Sequence, residues 1–146
     1  MKVRRIMPSG LGKLLPMAES FWLEGKMPGI FNPVSFVSSW LTVLDSGMGV
    51  IWVLEDENKV IGTLGCGIYR DLNTGDLVAS EFFWYVLPDH RGRGILLLRE
   101  FEKWAKNIGA KRVIMVHLTK CMPERVGEIY KKMGYEMLET HYVKEI

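Results

Sequence analysis

Hydrophobic and polar positions follow two different periods along the chain, and each change of period marks a change of predicted element. In four stretches apolar residues recur every three or four positions, which is typical of helices with one buried face. Elsewhere they form short runs rich in β-branched and aromatic residues, which is typical of strands. The predicted helices cover residues 9–25, 32–45, 94–108 and 123–134. The predicted strands cover residues 2–7, 50–54, 60–69, 77–86, 113–117 and 135–143.

The order of these elements predicts an α/β fold. A strand at 77–86, a helix and a strand at 113–117 form a crossover, which places the two strands parallel in one sheet. Two predicted hairpins precede the crossover, so we expect a mixed, mostly antiparallel central sheet with helices on both faces, a three-layer α/β sandwich. A length of 146 residues fits one domain, and residues 1–146 are predicted to form it.

Composition and charge exclude several classes of protein. Hydrophobic residues make up 48% of the chain and charged residues 25%, which is ordinary for a globular protein. The formal net charge of +2 is too small to indicate a nucleic-acid or membrane-surface partner. No uncharged apolar run approaches the roughly 18 residues of a transmembrane helix, and no signal-peptide core follows the basic N-terminus. We therefore expect a cytoplasmic protein.

Cys66 and Cys121 are the only cysteines. Two cysteines are too few for a disulfide framework, and they lack the CxxC spacing of a zinc site. We therefore expect free thiols and no bound metal. Nine methionines and five tryptophans leave enough apolar surface for a homodimer.

The segment 86–95 carries the clearest functional signal, because a predicted strand ends there, a glycine-rich turn follows and a helix begins at once. The first amides of a helix have no intrahelical partner and lie at the positive end of its dipole. Gly92 and Gly94 allow an anion to approach the backbone, and Arg91 and Arg93 add positive charge. The turn therefore suits a phosphate or pyrophosphate, although a tight turn alone can also require two glycines. The signatures of a P-loop and of a dinucleotide fold are both absent.

The pattern Val86-x-Pro88-x-x-Arg91-Gly92-x-Gly94-Ile95 resembles the acetyl-CoA-binding motif of the GNAT superfamily of N-acetyltransferases, Arg/Gln-x-x-Gly-x-Gly/Ala. The helix that follows, the strand at 113–117 and the late segment Ile-Tyr-Lys-Lys-Met-Gly-Tyr at 129–135 are similar to the family in order and spacing. The resemblance implies a GNAT-like sandwich. It also implies transfer of an acetyl group from acetyl-CoA to a primary amine, by direct attack in a ternary complex.

The resemblance also implies where acetyl-CoA binds. The cofactor would lie where the strands at 77–86 and 113–117 separate, with its pyrophosphate on the turn amides. Backbone N–H groups near Val86 or Leu87 would stabilise the oxyanion that forms on the acetyl group. The implied cofactor-binding residues are Val86, Leu87, Arg91, Gly92, Arg93, Gly94, Ile95 and Leu96. Leu96 and Pro123 depart from the family pattern, which has a small residue at the first position and often an asparagine at the second.

Three residues are candidates for proton transfer. Glu81, within an otherwise apolar strand, is the first candidate for the base that deprotonates the amine, and His117 is the second. Tyr130 matches the family tyrosine that protonates the departing CoA thiolate. Each residue also has a structural interpretation: Glu81 as a solvated or ion-paired side chain, His117 as a hydrogen-bonded histidine, and Tyr130 as part of the core.

The sequence does not identify the acceptor amine, which is either a small molecule or a protein amine. We expect it near the loop 25–33 and near Glu81, Phe83 and Tyr85 of the strand at 77–86. Glu19 and Glu24, on the helix before that loop, would attract a cationic amine or form a solvated face. The main alternative is a non-catalytic module that keeps the fold and the CoA pocket or binds another protein. A weaker alternative is a nucleic-acid-binding domain that uses the basic residues Arg91, Arg93, Lys111 and Arg112.

Overall fold

The computed structural model describes residues 1–146 and contains five strands and four α-helices. The strands are β1 (Lys2–Arg5), β2 (Gly49–Asp56), β3 (Lys59–Arg70), β4 (Leu77–Val86) and β5 (Arg112–Ile114). The helices are α1 (Leu15–Glu24), α2 (Pro33–Asp45), α3 (Ile95–Asn107) and α4 (Pro123–Lys132). Two 3-10 segments, Pro8–Leu14 and Pro88–His90, precede α1 and α3. None of the helices has the length and apolar character that crossing a bilayer requires.

The five strands form one sheet in the order β1-β2-β3-β4-β5. Neighbouring strands are antiparallel except β4 and β5, which are parallel because α3 connects them. The β2–β3 hairpin turns at Glu57 and Asn58, both in the left-handed region with φ of 47° and 66°. The predicted mixed, mostly antiparallel sheet is therefore confirmed.

Two apolar cores lie on opposite faces of this sheet. Alternate residues of β2 point to opposite sides, as a strand requires: Trp52 packs in the core beneath α3, and Ile51 and Val53 pack in the core beneath α2. Phe101 of α3 and Trp40 of α2 are central members of the two cores. Helices thus cover both faces, which confirms the predicted three-layer α/β sandwich.

The structure confirms the predicted start of the second helix but divides the first predicted helix into two elements. Asn32 caps α2 as expected, since its side-chain oxygen accepts a hydrogen bond from the Ser35 amide at 3.0 Å. The single helix predicted over 9–25 is instead a 3-10 segment followed by α1. Pro16 explains the change, because a proline ring fits the first turn of an α-helix but not its interior.

The strand predicted over 135–143 is wrong, since these residues form no strand. The run contains strand-favouring residues, but its side chains, among them Met137 and Tyr142, are exposed. Apolar and charged residues are mixed at both alternating positions, so pairing would not bury one apolar face. The neighbouring edge is also short, because β5 has three residues rather than the predicted 113–117.

A β-bulge in β4 changes which side chains face which layer. Cys66 of β3 pairs with Glu81 and Gly65 pairs with Phe83, so Phe82 is an extra residue on β4. An extra residue reverses the alternation of the strand. As a result Glu81 points toward α4, whereas Phe83 packs beneath α2.

Beyond the bulge, β4 and β5 separate. Their last paired residues are Ser80 and Ile114, after which the chain leaves β5 without a strand partner. The gap between the two strands opens toward the turn after β4. The fold therefore provides a cavity at the place where the sequence predicts the acetyl-CoA site.

Candidate active site

The central cavity lies in the gap between β4 and β5 and has a volume of about 340 Å³. Its walls come from the end of α1, the bulged half of β4, the glycine turn, the segment after β5 and one face of α4. The lining residues used below are Phe21, Glu24, Glu81, Phe82, Trp84, Tyr85, Val86, Arg91, Gly92, Gly94, Ile95, Cys121, Met122, Arg125 and Tyr130.

Glu81 is a buried acid at the inner wall of the central cavity, with 4% of its surface exposed. Its Oε2 accepts a hydrogen bond of 2.9 Å from the backbone N–H of Val116, which spans the gap between β4 and the segment after β5. Burial raises the pKa of Glu81 from 4.5 to about 8, and the Val116 hydrogen bond offsets only part of that rise. Glu81 is thus a carboxyl group that exchanges a proton near neutral pH.

Tyr130 of α4 lies beside Glu81 in the same wall. Its hydroxyl donates a hydrogen bond of 2.7 Å to the carbonyl of Val116, so Val116 contacts both ionisable side chains. The ring stacks on Trp84 with 6.2 Å between centroids. Burial, together with the nearby charge of Glu81, raises the pKa of Tyr130 well above that of a free phenol, so the side chain stays protonated.

The amides of the glycine turn fall into two groups. Three of them are used within the turn: Arg91 N–H donates to Pro88, Arg93 N–H to His90 and Leu96 N–H to Arg93, at 3.2–3.3 Å. The amides without a protein acceptor belong to Gly92, Gly94 and Ile95, which all line the central cavity. Three unpaired N–H groups at the start of a helix form a binding site for an anion.

Both glycines of the turn are required by the backbone or by its surroundings. Gly92 has φ of +96°, which strains any other residue. A Cβ on Gly94 would lie 2.9 Å from the Val86 side chain and 3.0 Å from Trp84 Nε1. The Nε1 atom is itself buried and has no hydrogen-bond partner, so an unused donor lies directly beneath the turn.

A hydrogen-bonded group at the mouth of the central cavity links α1 to the glycine turn. Glu24, at the end of α1, accepts a hydrogen bond of 2.7 Å from the Tyr85 hydroxyl through one oxygen and pairs with the Arg91 guanidinium through the other. Arg91 also contacts the sulfur of Met122 at 3.6 Å. Burial and, to a lesser degree, the bond to Glu24 raise the pKa of Tyr85. A cationic side chain thus lies next to the unpaired amides, held by a carboxylate.

The structure brings most of the sequence-predicted residues together. Glu81 and Tyr130 meet at the inner wall, and the side facing the turn is formed by five of the eight predicted cofactor residues: Val86, Arg91, Gly92, Gly94 and Ile95.

The other three predicted cofactor residues do not line the central cavity. The amide of Leu87 is already bonded to the carbonyl of Ile61 at 2.9 Å. Arg93 points away and pairs with Asp56, with 2.8 Å between nitrogen and oxygen. The Leu96 side chain packs against the core beneath α3, so this departure from the family pattern leaves the turn open.

His117 also lies outside the central cavity. It is exposed on the segment after β5, and its ring is 3.4 Å from where a Cβ on Gly127 would lie. The segment leaves β5 before His117, so the residue is not at the end of a strand as the sequence predicted.

Sequence reasoning missed two residues of the site. In the sequence, Trp84 is only one of the apolar residues of a predicted strand. Its Nε1 is buried without a hydrogen-bond partner in the folded chain, where Gly94 packs against it. Arg125 of α4 has a guanidinium nitrogen 3.6 Å from where a Cβ on Gly92 would lie, which adds a second cation at the turn. Nothing local to either residue signals these positions, because both depend on elements distant in the sequence.

The basic residues considered for nucleic-acid binding are mostly neutralised by carboxylates. Arg91 pairs with Glu24 and Arg93 with Asp56. Arg112 pairs with Asp71 and Asp76. These ion pairs leave no continuous basic patch at these positions.

Known proteins resemble this chain in sequence and in fold. N-acetyltransferase 8 of Rattus norvegicus is 30% identical over 94 residues, which cover 63% of this chain and 41% of the rat protein, so the match spans less than half of that relative. A predicted acetyltransferase with acetyl-CoA from Clostridium acetobutylicum is 18% identical, with a TM-score of 0.80 over 99% of this chain and 95% of the other. The aminoglycoside antibiotic 6'-N-acetyltransferase AAC(6')-IG from Acinetobacter haemolyticus is 18% identical, with a TM-score of 0.75 over 100% and 99% of the two chains.

The family model of the acetyltransferase (GNAT) family matches residues 18–135. This range contains β2 to β5, all the α-helices except the start of α1, and every residue that lines the central cavity. The match covers most of the chain and agrees with the resemblance of the glycine turn. The chain belongs to the acetyltransferase (GNAT) family.

Proposed function

We propose that residues 1–146 act as one domain that transfers an acetyl group from acetyl-CoA to a primary amine, by direct attack of the amine in a ternary complex. The observation that carries the proposal is that a buried carboxyl group, a protonated phenol and three unpaired turn amides belong to residues that line one cavity. The similar proteins support it, since one of those structures is described with acetyl-CoA and another as an aminoglycoside N-acetyltransferase.

The glycine turn would hold the pyrophosphate of acetyl-CoA. The N–H groups of Gly92, Gly94 and Ile95 offer three hydrogen bonds, and the guanidinium groups of Arg91 and Arg125 offer positive charge. The absence of a Cβ on Gly94 lets the turn lie directly against Val86 and Trp84 of β4. The residues present therefore fit this part of acetyl-CoA.

The acetyl carbonyl would lie against β4. Successive amides of a strand point to opposite edges, and the Leu87 amide is bonded to β3. We therefore expect the Val86 amide, rather than that of Leu87, to face the central cavity and stabilise the oxyanion.

Glu81 would act as the general base. A lysine-like ammonium has a pKa of about 10.4 and must lose a proton before it attacks a thioester. A carboxylate with a pKa of about 8 accepts that proton more readily than an ordinary glutamate, because basicity rises with pKa. His117 is not part of this proposal, because its side chain is outside the central cavity.

Tyr130 would act as the general acid. Its raised pKa keeps the hydroxyl protonated, and the group lies in the wall between Glu81 and α4. During the reaction the hydroxyl would transfer its hydrogen bond from the Val116 carbonyl to the sulfur of the leaving CoA. Direct attack gives neither cysteine a nucleophilic role, and burial keeps the Cys66 thiol protonated.

Thermal unfolding with acetyl-CoA, CoA, ATP and NAD in separate samples tests the cofactor part of the proposal. A ligand at 100 times its dissociation constant stabilises the folded state by about 2.7 kcal/mol. We expect acetyl-CoA and CoA to raise the midpoint by several degrees, and ATP and NAD to leave it unchanged. A shift with none of the four would contradict the proposal.

Transfer itself is tested by mass spectrometry of a panel of primary amines incubated with acetyl-CoA and the protein. We expect at least one amine to gain an acetyl group only when the protein is present. Binding of CoA without transfer to any amine would favour the alternative of a non-catalytic module.

A further inference from the structure

A second concave site, which we call the aromatic groove, lies between α1, α2 and β4 and has a volume of about 510 Å³. Its walls are made largely of aromatic rings from these three elements and from the loop that joins α1 to α2. The rings are those of Phe21, Trp22, Phe31, Phe36, Trp40 and Phe83, with Phe82 at the edge. None of these residues belongs to the glycine turn or to the proton-transfer pair.

The aromatic groove adjoins the central cavity. Phe21 and Phe82 line both. On β4, Phe82 directly follows Glu81 and is the extra residue of the bulge. On α1, Phe21 precedes Glu24 by one turn, a rise of about 4.5 Å. An acceptor whose amine lies at Glu81 would therefore lie beside the two rings that the groove shares with the central cavity.

The groove offers apolar and aromatic contacts but no charge. All of its lining residues are uncharged, and two of its three amide or hydroxyl side chains, those of Asn32 and Ser35, belong to the residues that begin α2. Neighbouring rings hold one another in place, with 6.1 Å between the centroids of Phe36 and Phe83 and 5.9 Å between those of Trp40 and Phe82.

The rim of the groove exposes apolar surface to water. Ile30 is 97% exposed and Phe82 is 56% exposed. Covering such surface with an apolar group is favourable, whereas seating a charged group on it removes water from the charge without supplying a partner. For comparison, a cavity of about 150 Å³ lined by apolar side chains accommodates benzene.

We propose that the aromatic groove binds an uncharged aromatic or branched aliphatic group of the acceptor. The substrates would then be small primary amines in which a short spacer joins the amine to that group. This inference rests on the proposed function and deepens it. Under this proposal the protein differs in acceptor from enzymes that act on aminoglycosides. The positive charges of an aminoglycoside would find no negatively charged partner in the groove.

The first test compares amines with similar chains and different end groups: 2-phenylethylamine, 2-cyclohexylethylamine, propylamine, 1,3-diaminopropane and the aminoglycoside kanamycin. Rates at saturating acetyl-CoA give kcat/KM for each. We expect the phenyl and cyclohexyl amines to exceed propylamine by about 10- to 100-fold, from burial of the apolar group. The diamine and kanamycin should fall below propylamine. Equal or lower values for the two apolar amines would overturn the proposal.

Variants at the rim assign the preference to the groove. Ile30→Ser and Phe82→Ala change exposed side chains, so the fold should be retained. Each should lower the ratio of kcat/KM for 2-phenylethylamine to that for propylamine by about three- to tenfold. Leu72→Ser, at a fully exposed leucine between β3 and β4, is the matched control and should leave the ratio unchanged. If neither rim variant alters the ratio, the groove does not bind the acceptor.

Failure of the proposed function can be distinguished from failure of this proposal about the groove. If the protein binds CoA but acetylates no amine, the proposed function fails, and ligand-observed NMR then tests the groove alone. Tighter binding of 2-phenylethylamine than of propylamine to the CoA-bound protein, weakened by Phe82→Ala, would support the proposal that the groove binds the apolar group. Equal binding of the two amines would overturn that proposal.

A second copy of the chain covering the groove would also overturn the proposal. Sedimentation equilibrium would show this as a dimer that Ile30→Ser dissociates.

Discussion

The central cavity and the aromatic groove share Phe21 and Phe82, yet they are built in different ways. The central cavity is lined by residues that carry a buried acid, cationic side chains and unpaired backbone amides. The groove contains uncharged side chains that pack on one another. Under the proposed function, the first site positions charges and protons for the reaction, and the second selects the acceptor by apolar burial.

The two sites also differ in how the sequence specifies them. The site for the pyrophosphate uses backbone N–H groups of consecutive residues, so one short motif specifies it. The groove uses side chains from α1, α2 and the loop between them, together with side chains from β4, which begins at Leu77, well after α2 ends at Asp45. These side chains meet only after folding. Chemistry and cofactor binding should therefore be separable from acceptor selection by mutation.

The largest expected effect comes from Glu81→Gln. The amide keeps an acceptor for the Val116 N–H group but cannot take a proton, so kcat should fall about 100- to 10,000-fold. The loss should be the same for aromatic and aliphatic amines, because the groove is untouched. Steady-state kinetics with 2-phenylethylamine and propylamine measure both quantities, and the dissociation constant of acetyl-CoA is the control. Wild-type kcat in this variant would remove Glu81 from the chemistry.

Tyr130→Phe should have the next largest effect. Without the hydroxyl the leaving thiolate has no proton donor, and we expect kcat to fall about 10- to 100-fold with acetyl-CoA affinity nearly unchanged. Tyr135→Phe is a matched control, since that hydroxyl bonds to Glu102 at 2.8 Å and lies outside the central cavity. Equal losses of turnover and of acetyl-CoA affinity in Tyr130→Phe would mean that the residue only packs.

Arg91→Glu should weaken acetyl-CoA binding by about tenfold or more, because it places a like charge beside the pyrophosphate. Arg93→Glu changes charge by the same amount two residues away, but its side chain points to Asp56. We therefore expect a clearly smaller effect from Arg93→Glu. Isothermal titration calorimetry of both variants measures the difference, and equal dissociation constants would refute the assignment of Arg91 to the site.

Glu24→Gln should have the smallest effect, and in the opposite direction. In the structure Glu24 pairs with Arg91, so its carboxylate competes with a pyrophosphate for the same guanidinium. A partly exposed ion pair of this kind contributes about 0.2–1 kcal/mol. Removing the negative charge should therefore tighten acetyl-CoA binding up to about fivefold. Weaker binding would show that Glu24 positions Arg91 rather than competing for it.

The sequence predicted the layers, the sheet and the glycine turn, because periodicity and unpaired helix amides follow from local geometry. It also predicted Glu81 and Tyr130 as candidates, through their place on a strand and a helix. It could not predict the unpaired Trp84 Nε1 or the position of Arg125, since each depends on a neighbour from another element. The last predicted strand failed for the same reason, because strand propensity alone does not provide a partner edge.

The most direct test is the pH dependence of kcat/KM for an acceptor amine that is already neutral at pH 6, so that the amine does not titrate. Attack by such an amine still leaves a positively charged nitrogen, and Glu81 would accept the proton that this nitrogen loses as the amide forms. Burial raises the pKa of Glu81 to about 8, and only its deprotonated form can act as a base. The account predicts that kcat/KM rises from pH 6, reaches half of its maximum near pH 8 and levels off above about pH 9, and that this rise is lost in Glu81→Gln. A flat wild-type profile, or the same rise in Glu81→Gln, would contradict it.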